Sequence, residues 1–126
     1  MLQFVCYPTY TFVGDKEFVP FHVSFGRRLI AAAVVPMVLT CLGTFALLFL
    51  RPAAAPMWTA IVAAVCGAVI LLTTVVLEVP KHLKLDKEGK SDAVLQALVR
   101  DNIPRTLAWT VASLVLAYAL WVSLPA

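Results

Sequence analysis

Charge is what this sequence has least of. Only 13% of its 126 residues are Asp, Glu, Lys or Arg, where a soluble globular domain carries about a quarter. The shortage is organised in blocks: residues 29–50, 52–77 and 106–126 contain no charge at all. A helix crossing about 30 Å of hydrocarbon at 1.5 Å per residue needs about 20 mainly apolar residues, and all three blocks reach that length. An ordinary soluble domain is therefore excluded. The expected fold is all-α: a polytopic, antiparallel membrane bundle forming a single integral membrane domain over 1–126.

Other absences narrow the chemistry. There is no G-x-G-x-x-G, P-loop, H-E-x-x-H or G-x-S-x-G, which speaks against nucleotide-driven reactions and the familiar hydrolases. No internal repeat suggests a transporter built from two halves. Three cysteines, Cys6, Cys41 and Cys66, show no C-x-x-C spacing; they read as small apolar fillers, with neither a disulfide framework nor a metal site. The region from Glu78 to Arg105 has six basic and five acidic residues, so it is no nucleic-acid surface.

Basic residues orient the chain. Lys16, Arg27 and Arg28 precede the first span, and Lys81, Lys84, Lys87, Lys90, Arg100 and Arg105 lie between the second and third. Arg51 stands alone on the other side. By the positive-inside rule, residues 14–28 and 79–105 are expected in the cytoplasm of a bacterium, with the chain in its inner membrane. The opening stretch "MLQFVCYPTYTFV" is apolar but too short to span. It reads as an interfacial segment or as the tail of a truncated fourth helix.

Within the spans, helix A is expected to start between Lys16 and Val19, capped by Asp15, and to kink at Pro36. Helix B is expected from Pro56 to Leu77, ended or kinked by Pro80. Its Ala60, Ala63, Ala64, Gly67 and Ala68 form a small-x-x-x-small face that lets backbones approach closely. "KLDKEGK" reads as a turn. Ser91 then caps a short amphipathic helix whose stripe is Val94, Leu95, Leu98 and Val99. Pro104 opens helix C, and Trp58 and Trp121 anchor the outer interface.

A polar cluster is expected at the cytoplasmic edge: His22, Arg27, Glu78, His82, Asn102, Arg105 and Trp109. Glu78 and His82 are four apart, and Asn102, Arg105 and Trp109 fall at i, i+3 and i+7, one helix face each. Glu78 near a helix C-terminus needs a cation; Arg105 is the expected partner, with Lys81 second. Anchoring at the membrane surface explains most of the charges. The two histidines suit either proton transfer or axial haem ligation.

"VCYPTYTFVGDKEFVPFH", "VPKHLKL" and "DNIPRTLAW" together resemble small bacterial four-helix membrane proteins of unknown function, themselves distantly similar to the anthrone-oxygenase-like membrane family. The matching positions are Tyr7-Pro8, Val13-Gly14, Glu17-Phe18, Phe21-His22, Pro80-Lys81-His82, Asn102, Arg105, Thr106 and Trp109. The chain departs from the pattern in lacking a complete first helix and in having Phe25 where a second histidine often stands. The resemblance implies a four-helix bundle and, distantly, cofactor-free oxygenation of polycyclic phenols. Three functions therefore compete: an accessory subunit of a larger respiratory or photosynthetic membrane complex or homo-oligomer; a cofactor-free oxygenase with a histidine base and an oxyanion held by Asn102 and Arg105; and a quinone- or haem-binding subunit. The first is the leading expectation, with no cofactor required.

Overall fold

The computed structural model describes residues 2–124; Met1, Pro125 and Ala126, which belong to the expected single domain, lie outside it. Among the described residues every regular element is helical. We number the elements α1 (residues 2–12, π, α and 3-10 turns in succession), α2 (Asp15–Leu50), α3 (Met57–Glu88) and α4 (Asp92–Ser123). The last three are each long and apolar enough to cross a membrane.

Helix α3 is central and packs against both α2 and α4. Its most apolar stretch is 44% buried, against 11% for each of the other two. Small residues explain this. Ala60, Ala63, Ala64 and Gly67 are buried and Ala68 half-buried; a Cβ on Gly67 would strike the Thr44 hydroxyl of α2. Cys41, Cys66, Ile70, Ala108 and Ala112 complete this apolar core. At the Arg51 end, Arg51 ties the hairpin by donating to the Ala55 carbonyl at 3.0 Å. Trp58 stacks on Tyr118 at 5.5 Å and Trp121 meets the same ring, which fits an aromatic belt at that level.

A second core sits at the charged end. Tyr7 and Tyr10 of α1, Phe18 of α2, Leu85 of α3, and Leu95 and Leu98 of α4 form it together with Cys6. The amphipathic stripe 94–99 therefore faces protein, and the opening segment is a helix packed on the bundle. Phe21 and Phe25 stand edge-on to Tyr10, so both are drawn toward this core. All three cysteines are buried and free.

Several sequence expectations need correction. The N-cap of α2 is Gly14, with Asp15 at the first helical position and no side-chain cap bond; there its charge still favours the positive helix end. Ser91 occupies the expected cap position of α4, yet its hydroxyl makes no cap bond either. Pro80 does not end α3. The helix runs on through "KLDKE" to Glu88, and Gly89, with φ of 85°, closes it by donating to the Leu85 carbonyl.

The reason is a recurring device. A proline lacks an N–H and its ring clashes with the carbonyl four residues back. Here π-helical segments precede three prolines: Leu2–Cys6 before Pro8, Ile30–Val34 before Pro36, and Thr73–Glu78 before Pro80. Each widened turn shifts the hydrogen-bond register by one residue. The helix absorbs the proline and continues.

Candidate functional site

The three π segments converge. Between the two cores lies a cavity of about 560 Å³, within the range of small-molecule sites, and each π segment contributes to its wall: Gln3 from the first, Val34 from the second, Thr74 and Glu78 from the third. Tyr7, His82, Asn102, Arg105 and Trp109 line it as well. A π turn projects side chains out of the regular ladder, which is why such turns recur at functional sites.

Two polar networks fix the walls. Arg105, on the first turns of the apolar part of α4, donates to the Tyr7 hydroxyl at 2.9 Å and to the Thr74 hydroxyl at 3.3 Å. Thr74 in turn donates to the Ile70 carbonyl at 2.7 Å. Asn102 Nδ2 donates to Gln3 Oε1 at 2.6 Å and to the Thr106 hydroxyl at 3.1 Å, while Gln3 Nε2 donates to the Val99 carbonyl at 2.9 Å. Helix α1 is thus bound to α4 through both Arg105 and Asn102, and it forms one side of the cavity.

The third network is a relay. His22 Nδ1 lies 2.7 Å from Asp86 Oδ1, and His22 Nε2 lies 2.9 Å from His82 Nδ1. A carboxylate only accepts, so Nδ1 of His22 carries the proton. With both rings neutral, His22 Nε2 then accepts from His82 Nδ1–H, which leaves His82 Nε2 with a free lone pair on the cavity side. His22 is clamped, stacked on Phe18 at 5.4 Å and on His82 at 5.1 Å, with Tyr10 edge-on. His82 lies beyond the charge-free run of α3, and burial, with His22 and Arg105 nearby, pulls it down to about 4. It is therefore neutral at pH 7 and able to act as a base. Among the described residues no group of three or more His, Cys, Asp and Glu has an arrangement suited to a metal ion.

Two buried residues in the wall hold three unanswered acceptor atoms. Both carboxylate oxygens of Glu78 and the Oδ1 of Asn102 lack a hydrogen-bond partner, though each residue is only 1% exposed. The expected Glu78–Arg105 ion pair is not formed: Arg105 turns two of its five N–H donors to Tyr7 and Thr74 instead. Lys81, the second expected partner, turns instead to Asp101 at 2.9 Å and the Leu77 carbonyl. Hydrogen bonds from Arg100 and Lys81 hold Asp101 down to about 2.

Of the seven residues singled out in the sequence, five line the cavity and His22 stands directly behind His82. Arg27 does not join them; it is exposed on α2. Sequence reasoning missed Asp86, Gln3 and Thr74. Asp86 was findable: it stands four residues after His82, on the same face once the helix is allowed to pass Pro80. Gln3 and Thr74 carried no signal, since a single amide or hydroxyl in an apolar run is common. Comparison with family models, with curated proteins and with solved structures gives no match for this chain.

Proposed function

We propose that the cavity binds a lipophilic phenol and that His82 Nε2 takes its proton, with Arg105 holding the oxyanion. One observation carries this reading: a three-membered Asp86–His22–His82 chain that ends at a cavity of ligand size. Asp86 fixes the tautomer of His22, and His22 fixes that of His82. A positive charge arriving on His82 is shared along the chain toward the carboxylate. Burial is the main cause that depresses His82, with Arg105 adding to it, and a developing phenolate beside the ring favours its protonated form against both. Arg105 sits in a mostly apolar wall, where a fixed cation stabilises an anion far more than it does in water.

The resemblance to the anthrone-oxygenase-like family supplies the matching reaction. An anthrone meets His82 as its phenolic hydroxyl tautomer, and loss of that hydroxyl proton gives an anion with electron density on the former methylene carbon, which reacts with dioxygen directly. Its ring methylene loses two hydrogens and becomes a carbonyl with one oxygen atom; the second oxygen leaves with those hydrogens as water. No cofactor enters that balance. The setting is the bacterial inner membrane, with the charged end of the bundle toward the cytoplasm, a placement supported by the nine-to-one bias of basic residues.

The test is to titrate the detergent-purified protein anaerobically with 1,8-dihydroxyanthrone, follow the absorption band of the anion, and then admit oxygen. Wild type is expected to produce the anion and then the anthraquinone, and His82→Ala neither. Equal anion formation by both proteins would remove the reading. The competing role as an accessory subunit of a respiratory or photosynthetic complex needs no ligand; native mass spectrometry from the host membrane, showing added protein mass and an empty cavity, would favour it. A quinone- or haem-binding role would announce itself in the visible spectrum of the same preparation.

A further inference from the structure

Glu78 and Asn102 are not explained by a single phenol hydroxyl. If one hydroxyl engages His82 and Arg105, three buried acceptor atoms are still unpaired: both Glu78 oxygens and Asn102 Oδ1. A buried acceptor without a donor is costly, and a cavity of this size is where a ligand would meet that need. Asn102 Nδ2 is engaged by Gln3 and Thr106, Arg105 turns two of its N–H groups to Thr74 and Tyr7, and the Tyr7 hydroxyl proton can answer at most one of the three acceptors. A bare metal cation is a poor answer, since the Arg105 guanidinium shares the same wall.

Accordingly, we infer that Glu78 and Asn102 form a second recognition station that selects ligands carrying a second hydrogen-bond donor about one helical turn from the first. His82 and Glu78 are four residues apart on α3, so their side chains are neighbours on one face. A dihydroxyarene places a hydroxyl at each. A quinone, which offers only acceptors, leaves Glu78 unanswered and meets it with repulsion. This inference rests on the phenol-binding reading of the cavity and adds the specificity of its far side.

The experiment compares 1,3-dihydroxynaphthalene, its two monomethyl ethers and 1,3-dimethoxynaphthalene, by isothermal titration against the whole chain in detergent. Wild type is expected to bind the diol about tenfold or more tighter than either ether, and the dimethoxy compound weakest. Glu78→Leu is expected to erase the preference for the diol over the ether that keeps the His82-facing hydroxyl, while still binding that ether. Glu78→Gln, which keeps an acceptor oxygen and the side-chain shape, is expected to retain part of the preference and guards against misfolding of the leucine variant. Equal wild-type affinity for diol and ethers would overturn the second station yet leave the phenol site standing. Binding of none of the four would overturn both.

Discussion

The two cores of this molecule are built from opposite materials. The membrane core uses alanine, glycine and cysteine, with Gly67 pressed against Thr44 and no room for a Cβ. The core at the charged end uses tyrosine, phenylalanine and leucine, drawn from all four helices. Small residues let helices close on each other along their length. Large rings hold helices at a distance and meet only where their edges fit. The cavity lies where the two styles meet, lined by Tyr7 of the aromatic core and by Met37 and Trp109, which pack against the small-residue core. A tight end fixes the bundle so that a looser end can carry a site.

The sharpest way to break that comparison is to strike each region and read a different quantity. His82→Ala is expected to lower turnover of the anthrone by about a hundredfold or more, the usual scale for a general base. Its melting temperature should fall less than a change in the tight helix contact brings, since His82 is only half-buried. Equal loss of stability would make His82 a packing residue instead. Gly67→Leu should do the reverse. Overpacking a close helix contact costs about 1–3 kcal/mol, so thermal unfolding in detergent should shift clearly downward. A variant as stable as wild type would mean that α2 and α3 are not in close contact.

Asp86→Asn comes next in size. It is expected to reduce turnover by about tenfold, since an amide presents His22 with either an oxygen or an N–H and no longer fixes the tautomer. Activity equal to wild type would detach Asp86 from the relay. The pH profile sharpens the same point. His82 is pulled down from 6.5 to about 4, so the folded protein binds fewer protons there than the unfolded chain. Its contribution to stability is complete above pH 6.5 and is lost as pH falls toward 4. His82→Ala should flatten that part of the acid limb of the stability curve. The smallest effect is expected from Pro80→Ala: a gain well below the ~3 kcal/mol that a proline inside a helix usually costs, because the π segment has already relieved the clash. Chemical denaturation would measure it, and a gain near the full figure would mean that the π turn absorbs little.

Much of this arrangement was legible in the sequence, and what was hidden shared one cause. The charge-free blocks marked three helices long and apolar enough to cross a membrane, and the alanine face of α3 marked the tight contact. Glu78, His82, Asn102, Arg105 and Trp109 stood out because polar groups beside long apolar runs are rare. Pro80 concealed the rest. Reading it as a stop or kink, with "KLDKEGK" as a turn, made Asp86 a loop residue and broke the face that carries the relay. A π turn depends on backbone register and not on residue type, so nothing in "TTVVLE" announces it. The expected Glu78–Arg105 pair failed for another reason. Tyr7 and Thr74 compete for the same guanidinium, and neither hydroxyl looks like a rival to a carboxylate on paper.

The π segments have a consequence beyond accommodating prolines. An α-helix turns about 100° per residue, so one extra residue in a turn rotates everything beyond it by about that angle. Each long helix that carries such a segment is in effect two shafts coupled out of phase. The membrane half can keep its lipid-facing stripe while the charged half is indexed independently to aim its side chains. Straightening 73–78 into a regular α-helix with no residue removed would re-time the coupling, and His82 and Asp86 would swing away from His22 together while the membrane core stayed in step.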